Sequence, residues 1–283
     1  MYDKKAIYLY LEREIFPQLA PPPYGRIEMK RLSDERPVYL FRERTKKIKV
    51  VGKFFESDSI PREEAWRWAE KGYFNLKHVR ENFGMQSGTY RIVAPLGKNK
   101  DLAALLITEM APGKVLDHYL AKAIYEGQSK RLFGKLSGLA GFFVHLHQRS
   151  ETRRQVSPKL AQRYQHKLFD SLRQGPLHSS EQHDIERYAA RWWDERDIFN
   201  ERTVTVHGDA TPTNFFFHHG DVIGIDLDKM KEADRCWDLG FLAAELKHHF
   251  MWRTGDGLAA VSYTHLRAHE TVLDLVCRLL LEK

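Results

Sequence analysis

The chain has 283 residues, 42% of them hydrophobic and 29% charged, enough apolar sequence for one large domain or two lobes around a sizeable core. No apolar run reaches the length of a membrane-spanning helix, and the acid-bearing first stretch has no small-residue cleavage site; membrane insertion and a signal peptide are not expected, and a cytoplasmic location is. The net charge of +7 is spread along the chain with no nucleic-acid-binding motif or basic helix, so it suits an anionic ligand rather than nucleic acid, and Cys236 and Cys277 make neither a disulfide framework nor a metal-binding pair.

Residues 1–19 read as an amphipathic helix, with Ile7, Leu9, Leu11, Ile15 and Leu19 among charges, and Pro21 to Pro23 end it. Residues 26–32, 38–44 and 47–55 read as three strands separated by polar turns. The first of these turns, residues 33–37, has no glycine, so no glycine-rich phosphate loop is expected there. Lys53 sits inside the apolar third strand, where an ammonium is costly unless it meets an anion. A long helix over 61–83 carries Trp66, Ala69, Tyr73, Leu76 and Val79 on one side, and strands follow at 90–95 and 102–108. From residue 115 the pattern turns helical, with helices at 115–126, 130–148, 159–172 and 181–199. His145 and His147 end the second of these; no zinc-type spacing surrounds them, and they are read as satisfied or exposed side chains. The basic stretch 155–163 is read as facing water, a short strand as occupying 204–207, and a last helix as covering 238–250.

The chemistry gathers between residues 207 and 238. His207-Gly208-Asp209 is followed by Asn214, then by the apolar run Phe215-Phe216-Phe217 and a His-His-Gly-Asp turn. A second apolar strand, Val222-Ile223-Gly224-Ile225, ends on Asp226. The two runs form a hairpin that brings Asn214 and Asp226 to one end, with Asp209 on the loop leading in. Two carboxylates and an amide are the set that phosphoryl transfer requires: one carboxylate for the proton of the attacking hydroxyl, the other with the amide oxygen for Mg²⁺. Asp-x4-Asn matches the protein-kinase catalytic loop, but Gly208 replaces its arginine and no Phe-Gly follows Asp226. His207, Asp209 and Asp226 are also compatible with a metal-dependent hydrolase.

This stretch resembles the aminoglycoside phosphotransferase and choline kinase-like family, whose hallmark is His-Gly-Asp-x4-Asn, then Ile-Asp-x-x, then Asp-x-x-x-Asp-Leu; here the last two are Ile225-Asp226-Leu227-Asp228 and Asp234 to Leu239. The resemblance implies an α+β, two-lobed protein-kinase-like fold: an N-lobe of small antiparallel sheet plus helix at 22–108, a hinge at 109–113 and a mainly helical C-lobe at 114–261. It implies ATP and Mg²⁺ as cofactors and a small-molecule hydroxyl as acceptor, such as a sugar, an amino alcohol, an aminoglycoside or a lipid-linked saccharide. Asp209 is then the catalytic base, Asn214 and Asp226 hold the metal with Asp228 assisting, and His207 and Asp238 are structural. Lys53 binds the nucleotide phosphates, and the hinge backbone at Glu109, Met110 and Ala111 meets adenine. The family's helix glutamate, which pairs with that lysine, falls on Gly72; Glu70 is taken in its place, with Glu64 behind it. That missing glutamate leaves a nucleotide-binding pseudokinase as the alternative. From about residue 262 the sequence changes character: residues 262–271 resemble a translated sequencing adapter, and 262–283 is read as a tail foreign to the domain.

Overall fold

The computed structural model describes residues 2–33, 37–173, 179–194 and 200–255. Part of the glycine-free turn, the end of the fourth helix of the helical region, Cys277 and the tail from 262 lie outside the described residues.

Helix α1 (Lys4–Tyr10) starts on Asp3, whose Oδ1 accepts the Lys5 and Ala6 backbone N–H groups at 3.0 and 3.1 Å. It continues through a π-helical turn (Leu11–Ile15) into a 3₁₀ turn (Phe16–Gln18), where Pro17 can no longer supply a helical N–H. Ile7, Leu11, Ile15 and Phe16 are fully buried against a five-stranded sheet.

That sheet begins with β1 (Ile27–Arg31), β2 (Val38–Glu43) and β3 (Lys49–Phe54), and helix α2 (Arg62–Asn82) follows. Strand β4 (Tyr90–Ile92) leaves for a second sheet, and β5 (Pro95–Asn99) and β6 (Leu105–Glu109) return to the first. The order is β1-β2-β3-β6-β5, antiparallel throughout. Alternation along β3 sends Val50, Gly52 and Phe54 into the core under α1 and leaves Lys53 on the opposite face. Helix α2 buries Ala65, Ala69, Gly72, Leu76 and Val79, a stripe at spacings of three and four, and packs on β5 and β6.

The second lobe opens with β7 (Lys114–Val115), α3 (Leu116–Glu126) and α4 (Ser129–Ser150). Helices α5 (Pro158–Arg173) and α6 (Ser179–Asp194) are joined by the Trp193 Nε1 to Gln165 Oε1 hydrogen bond at 2.5 Å and the Arg173–Glu186 ion pair at 2.6 Å. Then come β8 (Val204–Val206), β9 (Phe215–His218), β10 (Asp221–Gly224), β11 (Lys231–Ala233) and α7 (Cys236–Thr254). The β9–β10 hairpin turns at His219 and Gly220, both at positive φ, the backbone of a two-residue turn. It lies in a sheet of order β4-β10-β9-β7, in which β10 runs parallel to β4. The hairpin is thus backbone-bonded to a segment that precedes the last strands of the first sheet. Helix α4 backs it: Leu136, Leu139, Ala140, Phe143 and Leu146 are buried, and Phe142 and Phe143 meet Phe215 edge-on.

Candidate active site

The loop between β8 and β9 is held from beneath by Asp238 in the first turn of α7. Its fully buried carboxylate accepts the His207 N–H at 2.8 Å, the Gly208 N–H at 3.0 Å and His147 Nε2 at 3.0 Å. A buried charge is tolerable when its lone pairs are taken up in this way. His207 Nε2 donates to the Ile225 carbonyl at 2.9 Å, which leaves Nδ1 to accept the Asp209 N–H at 3.3 Å. Both ring nitrogens are therefore committed inside the protein, which removes His207 as a metal ligand. Gly208 has φ +82°, and a Cβ there would stand 2.2 Å from the Lys229 carbonyl, so no larger residue fits the turn. Asn214 Nδ2 donates to the Asp209 carbonyl at 2.9 Å, and its own carbonyl accepts the Ile225 N–H at 3.0 Å, binding the loop to the end of β10.

Asp226 follows β10 in the left-handed region, at φ +59°. Lys53 Nζ reaches it from β3, at 2.9 and 3.0 Å from its two oxygens, and also donates to Asp228. All three side chains are about four-fifths buried. Burial works against the Lys53 ammonium, but the two carboxylates outweigh it and hold its pKa above the usual lysine value. Burial likewise raises the Asp226 carboxyl, and the Lys53 charge overrides it to hold the group below its usual range. Asp228 absorbs the conflict: burial, then the Asp226 charge beside it, push it up to about 6.

Glu70, expected to pair with Lys53, instead accepts from Lys98 Nζ, an ammonium that also lies over the Trp66 and Phe74 rings. The reason is helical geometry: residues two apart lie on opposite faces, and Gly72 is the residue facing the site. Glu64 is exposed. One turn beyond Gly72, Asn75 Nδ2 donates to the Leu227 carbonyl at 2.7 Å, docking α2 on the Asp226–Asp228 turn.

A cleft of about 670 Å³ opens between the lobes, with Lys53, Asp209, Asp226, Asp228 and Lys229 on its polar wall and Phe55, Ile60 and Trp68 on the apolar one. Lys71 and Pro37 also line it. Lys229 Nζ donates to Asp209 Oδ1 at 2.8 Å. Glu109, the last residue of β6, and Met110 and Ala111, which lead from it toward β7, do not line this cleft. The Glu109 side chain is turned away, accepting the Ala94 N–H at 2.9 Å and Arg91 Nη1 at 3.4 Å. The structure thus gathers Lys53, Asp209, Asn214, Asp226 and Asp228, with His207 and Asp238 supporting them, and leaves Glu70, Glu109, Met110 and Ala111 apart. Lys229, Asn75 and His147 are site residues that the motif reading passed over. Only the position of Lys229, three residues past Asp226, hinted at its place.

Among the described residues no group of three or more His, Cys, Asp or Glu side chains is arranged to enclose a metal. The donors present are hard oxygens: the Asp226 and Asp228 carboxylates and the Asn214 amide, whose NH₂ points inward to Asp209. That set fits Mg²⁺, which keeps waters and takes phosphate oxygens rather than a full protein cage. The three lysines of the cleft fit a polyphosphate.

The model of the phosphotransferase enzyme family matches residues 79–271. No curated protein matches the chain. Solved structures do. APH(2″)-IIa in its ternary complex with streptomycin and ATP shares 16% identity, with a TM-score of 0.53 over 99% of this chain and 97% of that one. The macrolide 2′-phosphotransferase of Brachybacterium faecium shares 12%, with a TM-score of 0.56 over 99% and 94%. The Plasmodium vivax ethanolamine kinase shares 12%, with a TM-score of 0.54 over 98% and 78%. The likeness is one of fold, α+β and two-lobed.

Proposed function

Since this chain belongs to the phosphotransferase enzyme family, we propose that it is an ATP-dependent kinase moving the γ-phosphoryl group to a hydroxyl of a small molecule. The observation that carries this reading is the convergence of Asp209, Asn214 and Asp226 at one end of the hairpin, with Lys53 reaching Asp226 from the other lobe. The acceptor class follows the relatives of like fold, which include phosphotransferases of macrolides and kinases of ethanolamine and glucosamine: a hydroxyl-bearing sugar derivative or amino alcohol.

Lys53 turns from Asp226 toward the α- and β-phosphates and holds them under the first sheet. Asp226 and Asn214 would hold Mg²⁺, which when bound would supply positive charge against the nucleotide phosphates. The acceptor hydroxyl enters beside Asp209, its oxygen bonds the γ-phosphorus as the bond to the β-γ bridging oxygen breaks, and its proton passes to the Asp209 carboxylate. Lys229, whose Nζ lies 2.8 Å from Asp209 Oδ1, orients that carboxylate while the cleft is without nucleotide. Asp238 and His207 carry the loop so that Asp209 does not need to reorganise during the transfer.

Calorimetric titration of ATP–Mg²⁺ into the wild type and Asp226→Ala tests the reading. Metal-dependent binding by the wild type, lost in the variant, is expected. A folded wild type that binds no ATP would refute the kinase reading.

A further inference from the structure

Lys53 needs a carboxylate to hold its ammonium in a mostly buried strand, and α2 offers none at the position facing it. The residue there is Gly72, buried within the helix. A Cβ on Gly72 would stand 2.6 Å from Asp228 Oδ1 and 3.2 Å from Leu106 Cδ2. The volume that a helix side chain would occupy is therefore filled by the Asp228 carboxylate, arriving from the turn after β10. Its approach is fixed by Asn75, one turn along the same face of α2, which holds the Leu227 carbonyl at 2.7 Å. The nearby helix carboxylates are committed elsewhere: Glu70 to Lys98, and Glu63 to Lys100 at 2.6 Å.

We infer that Asp228 is the positioning residue of Lys53, supplying from the metal-binding turn the carboxylate that α2 lacks, and that Gly72 is glycine because this carboxylate needs its space. The inference rests on the kinase reading above for its role in nucleotide binding. On it Asp228 serves Lys53 rather than the metal, and the absent helix glutamate is a relocation, not a loss of activity. Lys53's anchor and the metal-binding Asp226 then lie on one three-residue turn. The phosphate site assembles when that turn forms, without any swing of α2.

Two measurements test this. The first is a thermal-unfolding double-mutant cycle without nucleotide, using Lys53→Met and Asp228→Asn. Asp228→Asn is expected to lower Tm in the wild-type background and not in Lys53→Met; equal losses in both would overturn the pairing. The second is calorimetric ATP affinity across a Mg²⁺ series. Asp228→Asn is expected to weaken ATP binding about tenfold at every Mg²⁺ concentration, with Asp228→Glu partly restoring it. Weakening that excess Mg²⁺ reverses would make Asp228 a metal ligand and overturn the inference. Gly72→Ala provides a variant that removes no charge: its Cβ displaces Asp228, and it too is expected to weaken ATP binding, whereas wild-type affinity would overturn the role given to the glycine. Coupling absent from a wild type that binds ATP normally would overturn this inference alone. Coupling present in a wild type with no affinity for ATP–Mg²⁺ would overturn the kinase reading and the positioning role together.

Discussion

Asp209 and Asp238 are both buried carboxylates on one loop system, and their environments set them to different tasks. Asp238 faces three donors and no cleft; Asp209 meets the exposed Lys229 and lines the cleft. Replacing Asp209 by Asn keeps the shape and removes the proton acceptor. Turnover should fall by roughly 10²–10⁴ while calorimetric ATP affinity holds, and near-normal turnover would take Asp209 out of the role. Asp238→Asn instead sets an amide N–H against backbone donors in a dry pocket. We expect about 3–5 kcal/mol of lost stability, the usual cost of breaking a buried charge cluster, read as a lower urea midpoint with little change in slope. The gathering of these polar residues was legible in the sequence, because Asp-x4-Asn running into a hairpin that ends on Asp226 brings its polar groups to one point by local geometry alone. The residues that hold them were less so. Asn75 and His147 act through side-chain amide and imidazole contacts across 152 and 91 positions of sequence, which no local pattern encodes. Gly72 did carry a signal, since a glycine inside a helix costs about 1 kcal/mol relative to alanine and asks for a packing reason; the structure gives it as Asp228.

At the scale of elements, strength of periodicity decided what could be read. Helices α2, α3 and α4 and strands β1, β2, β3 and β6 are visible because each buries a continuous face. Strands β7 and β11, of two and three residues, are too short to show alternation, and β5, all half-buried, shows none. The hairpin was readable from its glycine turn, but not how tightly it is packed. A Cβ on Gly224 would lie 2.7 Å from Ile92 and 2.9 Å from the Phe142 ring. Gly224→Ala should therefore cost about 1–3 kcal/mol and, two residues from Asp226, weaken ATP binding as well; unaltered calorimetric affinity would contradict this. Helices α3 and α7 are fastened by Asp117, which accepts from His249 Nδ1 at 2.8 Å and from Arg253 Nη2 at 2.7 Å. The His249 hydrogen bond, opposed by burial and aided by Arg253, holds the Asp117 carboxyl below its usual range. A depressed carboxyl pKa stabilises the fold above the unfolded value near 4 and loses that contribution as pH falls through the folded one. Denaturant titrations from pH 5 downward should show this loss in the wild type, and a shallower one in Asp117→Asn.

Across the whole molecule, the proposed phosphate site draws on both lobes, Lys53 from the first sheet and the three acidic groups from the second lobe. Neither lobe holds the set alone. The division between them is also not a boundary for the backbone. Strand β4 pairs with β10 from Tyr90–Val222 to Ile92–Gly224, and the Val93 N–H continues the ladder to the Gly224 carbonyl at 3.1 Å. Two lobes joined only by a link would melt separately, each with its own heat uptake. Here the larger lobe cannot lose β10 without stripping a partner from the chain that enters the smaller one. Scanning calorimetry should accordingly give a single endotherm whose van't Hoff and calorimetric enthalpies agree. An alanine introduced at Gly224 should move that whole peak downward rather than split it.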